Sequence, residues 1–196
     1  MRLDYAPKAP EGLGAEEEQI YDRIRARRAP GELLPLDLAL LHTPKMADGW
    51  NSLLGAVRTK GCLSDDLREI AICRPAIINR AWFEWAHHAP LLTATPGFTE
   101  EQYAVVKQPE PKEQGPLTDK QWAVLRYSDA MTKTISVPDD IFEGLQKAGF
   151  TDREIVEITL TCAAYNMVSR FLVALNVGEA NGEVPDALKA HFGEKP

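Results

Sequence analysis

Along most of this chain apolar residues recur at steps of three and four, while Val, Ile and Thr never gather into short alternating runs between turn residues. That spacing matches the turn of an α-helix and not the two-residue pleat of a strand, so the sequence predicts an all-α fold. With 196 residues, 44% of them apolar and 26% charged, the chain can bury one sizeable core and is read as a single domain, 1–196. The stretch 106–116 collects three prolines, a glycine and charged residues and reads as an internal linker loop; 185–196 is polar and reads as a loose tail. Twenty-nine acidic residues against 22 Lys and Arg give a net charge of −7, which repels a phosphate backbone and argues against nucleic acid as a partner. No run of 18 apolar residues occurs and the N-terminus lacks a secretory apolar region, so no membrane is expected and a cytoplasmic location is.

Helices are expected over 16–28, 36–41, 44–60, from Ser64 through a segment interrupted by Pro75, over 81–92, over 118–134, 138–148 and 151–177. Pro75 removes a backbone N–H and is expected to kink or end its helix just past Arg74. In the last long helix Val156, Leu160, Ala163, Met167, Phe171 and Ala174 follow steps of 4, 3, 4, 4 and 3 and are read as its core face. Asp66 to Ile70 and Thr151 to Ile155, 85 residues later, open their helices alike (Asp-Leu-Arg-Glu-Ile and Thr-Asp-Arg-Glu-Ile), which two similar helical hairpins would explain.

The densest unusual composition is Asn79 to His88, Asn-Arg-Ala-Trp-Phe-Glu-Trp-Ala-His-His. On a helix Glu84 and His88 share a face at i and i+4, and His87 lies at i+3 from Glu84. A carboxylate one turn from an imidazole sets its tautomer and raises its pKa, which prepares proton transfer near neutral pH, and Trp82, Phe83 and Trp85 supply apolar walls. A surface Glu–His pair over core aromatics is the competing reading. Neighbouring histidines on a helix point about 100° apart and no HExxH occurs, so no metal site is expected. Glu69 lies on a neighbouring helix. Asn166 and Arg170 interrupt an apolar helix at i and i+4 and are either a structural clamp or anion binders at a pocket. Cys73 and Cys162 fall in apolar settings and read as inert core thiols; three cysteines, widely spaced, fit neither a disulfide framework nor zinc.

On Leu67-Arg68-Glu69 with Glu84-Trp85-Ala86-His87-His88-Ala89, and on Phe150 to Glu154 with Ala164 to Arg170, the sequence resembles the carboxymuconolactone decarboxylase family, which includes the alkylhydroperoxidase D-like proteins. The resemblance implies an alkylhydroperoxidase D-like helical bundle of two similar hairpin halves. In the peroxidase-like branch a glutamate precedes Cys-x-x-Cys-x-x-x-His; here these positions are Glu69, Ala81, Glu84 and His88, so both thiols are missing. The decarboxylase-like branch carries Glu-Trp-x-x-His, as this chain does.

The resemblance therefore implies a cofactor-free acid/base enzyme that decarboxylates a small cyclic or lactone carboxylic acid. His88 would be the proton donor, Glu84 its orienting partner or a second acid/base, and Glu69 a further relay member. Arg80 or Arg170 would hold a substrate carboxylate, with Asn166, Trp82, Trp85 and His87 around the substrate. It also implies self-association into trimers or hexamers. Alternatives on the same fold are a redox protein using Cys73 or Cys162, a ring-tailoring isomerase, cyclase or dehydratase, and a non-catalytic binding protein.

Overall fold

The computed structural model of the protein describes residues 1–193, and among them it is helical with no strand. Ten α-helices follow in order: α1 (Ala15–Arg28), α2 (Pro35–Leu40), α3 (Pro44–Thr59), α4 (Asp65–Ile78), α5 (Trp82–Thr93), α6 (Glu100–Val106), α7 (Asp119–Thr134), α8 (Asp139–Lys147), α9 (Asp152–Leu175) and the short α10 (Lys189–Phe192). Thr99, Thr118 and Thr151 cap α6, α7 and α9 through reciprocal bonds with Gln102, Gln121 and Glu154, which satisfies backbone donors that each helix start would otherwise leave open.

α4 is the centre of the fold, enclosed by α5, α7 and α9, and Ile70, Ala71, Ile72, Cys73, Ala76 and Ile77 have no solvent exposure. Pro75 does not end it: α4 runs on to Ile78. The turn around the proline is held from outside by Arg74, whose guanidinium grips Asp129 on α7 (2.6 and 2.7 Å) and donates to the carbonyls of Val106, Gln108 (2.6 Å) and Pro109 (3.2 Å). Tertiary packing overrides the local cost of a proline. The same bonds stitch the start of the 106–116 segment to the core, so this expected solvated linker is an anchored loop.

α4 closes with Arg80 in the left-handed region (φ 52°) and the Ala81 N–H donating to the Ala76 carbonyl (2.8 Å), a helix stop in which a residue other than glycine takes the reversed turn. The reversal sends α5 back across α4.

α9 corrects the reading of its core face. Val156, Leu160 and Met167 are 64%, 48% and 40% exposed, Ala163 and Ala174 are exposed, and Phe171 is half-buried. The buried face is Ile155, Ile158, Cys162, Tyr165, Ser169 and Leu172. Its apolar residues fall on more than one face, so spacing selects no single face. Polar Ser169 can turn inward because its hydroxyl donates to the Tyr165 carbonyl (2.8 Å). By length and composition α9 is also apolar enough to cross a membrane, and half of that apolar window is buried within the fold.

The segment expected as a loose tail is docked as far as it is described: Leu188 is fully buried, and Phe192 meets Trp82 edge-on at 5.3 Å. Residues 194–196 lie outside the described residues. At the other end α1 lays Ile20 and Ile24, the expected stripe, into a cluster with Leu38, Leu40 and Ala47. That packing carries the arginines at the ends of α1 and α3 toward α5 and α9.

Candidate active site

α4 and α5 bring three of the expected residues together. His88 Nδ1 lies 2.6 Å from Glu69 Oε2, and His88 Nε2 lies 3.4 Å from Glu84 Oε1. All three are buried, with Tyr165 of α9 edge-on to the imidazole at 5.0 Å. Glu84 and His88 meet because they are one turn apart on α5; Glu69 meets them because the tight turn at Arg80 folds α5 onto α4.

Burial fixes the protonation. Desolvation pushes the His88 pKa down and outweighs the Glu69 hydrogen bond that raises it, so the imidazole is neutral. A neutral ring has one N–H, and the short contact assigns it to Nδ1, donating to the Glu69 carboxylate in a charge-assisted bond and not an ion pair. Nε2 then faces Glu84 with a lone pair. Desolvation, offset by the Arg58 charge and reinforced by Glu69, pushes Glu84 up to about 8. At neutral pH Glu84 is a carboxylic acid. Its Oε2 is buried and has no hydrogen-bond partner among the described residues, a state that costs about 1–3 kcal/mol for a polar group removed from water.

Glu84 and His88 form part of the wall of a pocket that opens to solvent. Leu34, Leu54, Phe83, Val168 and Leu172 make its apolar side, with Trp50 and Tyr165. His87 also lines it, its Nδ1–H donating to the Phe83 carbonyl (2.7 Å) and its ring stacked on Phe83 at 4.3 Å. Three arginines complete the lining: Arg27 and Arg28 from α1 and Arg58 from α3. The same three border a second hollow that reaches Arg68 and Glu69. None of them is singled out by the sequence reading. A signal exists, since Trp50, Leu54 and Arg58 lie four apart on one face of α3, a cation ending an apolar stripe.

The remaining expected residues are engaged elsewhere. Arg80 lies over the Phe192 ring (5.4 Å) and Trp82 packs against the same ring. Trp85 stacks on Tyr103 at 6.0 Å beside a separate hollow. Asn166 and Arg170 form a clamp: Asn166 Nδ2 donates to Thr132 Oγ1 (2.9 Å) and the Cys162 carbonyl (3.0 Å), and Asn166 Oδ1 accepts from Asn79 (3.0 Å) and Arg170 (2.6 Å). Of the thiols, Cys73 and Cys162 are buried, desolvation pushing Cys73 well above the usual range and Cys162 up to about 11; neither is a thiolate at neutral pH.

The fold is the alkylhydroperoxidase D-like one. A protein of unknown function from Agrobacterium tumefaciens, assigned provisionally to antioxidant defence as AhpD, is 27% identical over 70% of this chain and 92% of its own, with a TM-score of 0.62. An uncharacterised peroxidase-related protein with an AhpD core from Ralstonia eutropha covers 98% of both chains at 18% identity and a TM-score of 0.69. The debrominase Bmp8, as a cysteine-to-alanine variant in complex with 2,3,4-tribromopyrrole, covers 96% of this chain and 98% of its own at 14% identity and a TM-score of 0.68. No family model matches the sequence, and no curated protein does.

Proposed function

We propose that the protein is a cofactor-free acid/base enzyme that protonates carbon during decarboxylation of a small cyclic or lactone carboxylic acid. The observation that carries this reading is a neutral Glu84 at a pocket wall, with one oxygen free and the other backed by His88 and Glu69. Its acid is Glu84 and not His88, because the single N–H of the neutral imidazole is committed to Glu69. Glu69 is the orienting partner.

In this reading the bond from the ring carbon to its carboxylate breaks, carbon dioxide leaves, and the electron pair stays on carbon. Glu84 gives its proton to that carbon. The carboxylate so formed recovers a proton from solvent by way of His88, whose Nε2 is beside Oε1 and whose Nδ1–H stays on Glu69. An acid with a pKa near the working pH serves this exchange best, and the apolar walls keep the Glu84 proton in place until the carbon can take it.

Carbon dioxide release from a panel of lactone acids and phenolic acids tests the reading: release by the wild-type protein and its loss in Glu84→Gln are expected, and equal release by both would overturn it.

A redox reading is favoured by the peroxidase-related neighbours and the debrominase, and it would rest on Cys73, which lies near enough to feel the charges of Glu69 and Glu84. Stoichiometric loss of the Cys73 thiol on titration with peroxide, with exposed Cys62 removed by Cys62→Ser, would support it; an unreactive Cys73 is expected. The exposed face of α9, with Val156, Leu160 and Met167, supports self-association into a trimer or hexamer. Light scattering showing a monomer would contradict that.

A further inference from the structure

We infer that Arg58, assisted by Arg27, is the carboxylate-binding group of the pocket, the part expected of Arg80 or Arg170. Arg58 has no hydrogen bond and no ion pair among the described residues, although it is half-buried and lines the pocket together with Glu84 and His88. Among the described residues Arg27 bonds the neutral side chain of Asn51 and no carboxylate, and the Asp37 charge that reaches it is shared with Arg28. Burial pushes the Arg27 pKa down, and the like charges of Arg28 and Arg58 push it further. Arg58 is half-buried and Arg27 is exposed beside it, and two neighbouring cations with no carboxylate bonded to either favour an incoming anion.

Among the described residues no acid plays that part. Asp37 is consumed by Arg28 in a bidentate pair at 2.8 Å and by the Leu34 N–H. Asp65 pairs with Arg68, Glu69 is held by His88, and Glu84 is kept protonated. In a chain of net charge −7 this leaves a local excess of positive charge at the mouth of one pocket. Glu84, whose buried Oε2 has no hydrogen-bond partner among the described residues, lines the same pocket.

The walls define the rest of the ligand. Leu34, Leu54, Phe83 and Val168 suit a flat apolar ring, the chemistry of a small one-ring acid. A guanidinium takes a carboxylate through two parallel N–H bonds, and the ring then extends along the apolar wall toward Glu84. The chemistry after binding rests on the acid/base reading; the binding does not.

Benzoate and its neutral isostere benzamide, titrated calorimetrically, test the assignment. Saturable benzoate binding by the wild-type protein is expected, with benzamide at least about tenfold weaker. Arg58→Met should weaken benzoate by about tenfold or more and leave benzamide unchanged, Arg27→Met should weaken it less, and Arg58→Lys should restore part of the loss. Arg80→Met and Arg170→Met should bind benzoate as the wild type does, and inorganic phosphate should not displace it. Because Arg58 makes no hydrogen bond or ion pair among the described residues, its replacement should leave the circular dichroism melt in place, which separates lost binding from lost folding. Absence of benzoate binding, equal binding of benzamide, or an unaffected Arg58→Met protein would each overturn the assignment. Glu84→Gln separates the two claims: it should keep Arg58-dependent benzoate binding, and turnover surviving in that variant would sink the acid/base reading while leaving the binding site intact.

Discussion

Two pairs of polar side chains lie four residues apart inside apolar helices, Glu84 with His88 on α5 and Asn166 with Arg170 on α9, and the fold treats them differently. Every polar atom of the Asn166 amide has a protein partner, drawn from α4, α7 and α9. Glu84 keeps one oxygen unpaired at the wall of a pocket and holds a proton that burial forces on it. A buried polar cluster that is fully satisfied ties helices together, whereas one left incomplete beside a cavity is poised for a ligand. Spacing is identical in the two pairs. Satisfaction of hydrogen bonds distinguishes them.

The largest effect that could break this contrast is on turnover. Glu84→Gln keeps the shape and removes the transferable proton, and it should lower turnover by about 10²–10⁴-fold while stability holds or rises. Steady-state rates together with a denaturant melt check both halves. Next comes pH. The folded-state pKa of Glu84 is raised to about 8 from 4.5, so between these values the native protein holds a proton that the unfolded chain releases. Its contribution to stability is therefore lost as pH rises through that window, by up to about 1.4 kcal/mol per pH unit. Subtracting the pH–stability curve of Glu84→Gln from that of the wild type should isolate this slope, and parallel curves would refute the neutral acid.

On the other helix, Asn166→Ala should cost about 2 kcal/mol by leaving buried partners unpaired, a fall of roughly 4–8 °C in Tm, with the folded fraction still active. Loss of activity at full stability would move Asn166 from the clamp to the pocket. Arg170→Met should show the smallest effect, within about 1 kcal/mol by melting and none on turnover, since its guanidinium is exposed and Asn79 still donates to Asn166.

The contrast also explains how far the sequence could be read. Helix positions and the Glu69, Glu84 and His88 triad were legible, because they depend on local periodicity and on one recognisable pattern. The buried side of α9 was not, since its apolar residues fall on more than one face and the choice is made by neighbours such as α4 and α7. Pro75 misleads for a related reason: Arg74, bonded to Asp129 and to carbonyls of the following loop, holds a turn that local rules would break. The pocket arginines Arg58 and Arg27 are not legible in the sequence, because that neither bonds a carboxylate is a property of the assembled fold. The division of labour between Glu84 and His88 was likewise hidden, because it turns on desolvation.

The most direct test of the central claim is the infrared carbonyl band of a protonated carboxylic acid, recorded as a wild-type minus Glu84→Gln difference across pH. The account predicts that the band is present at pH 7 and disappears with a midpoint near 8. A band already lost at pH 7, with a midpoint in the ordinary carboxylate range, would contradict it.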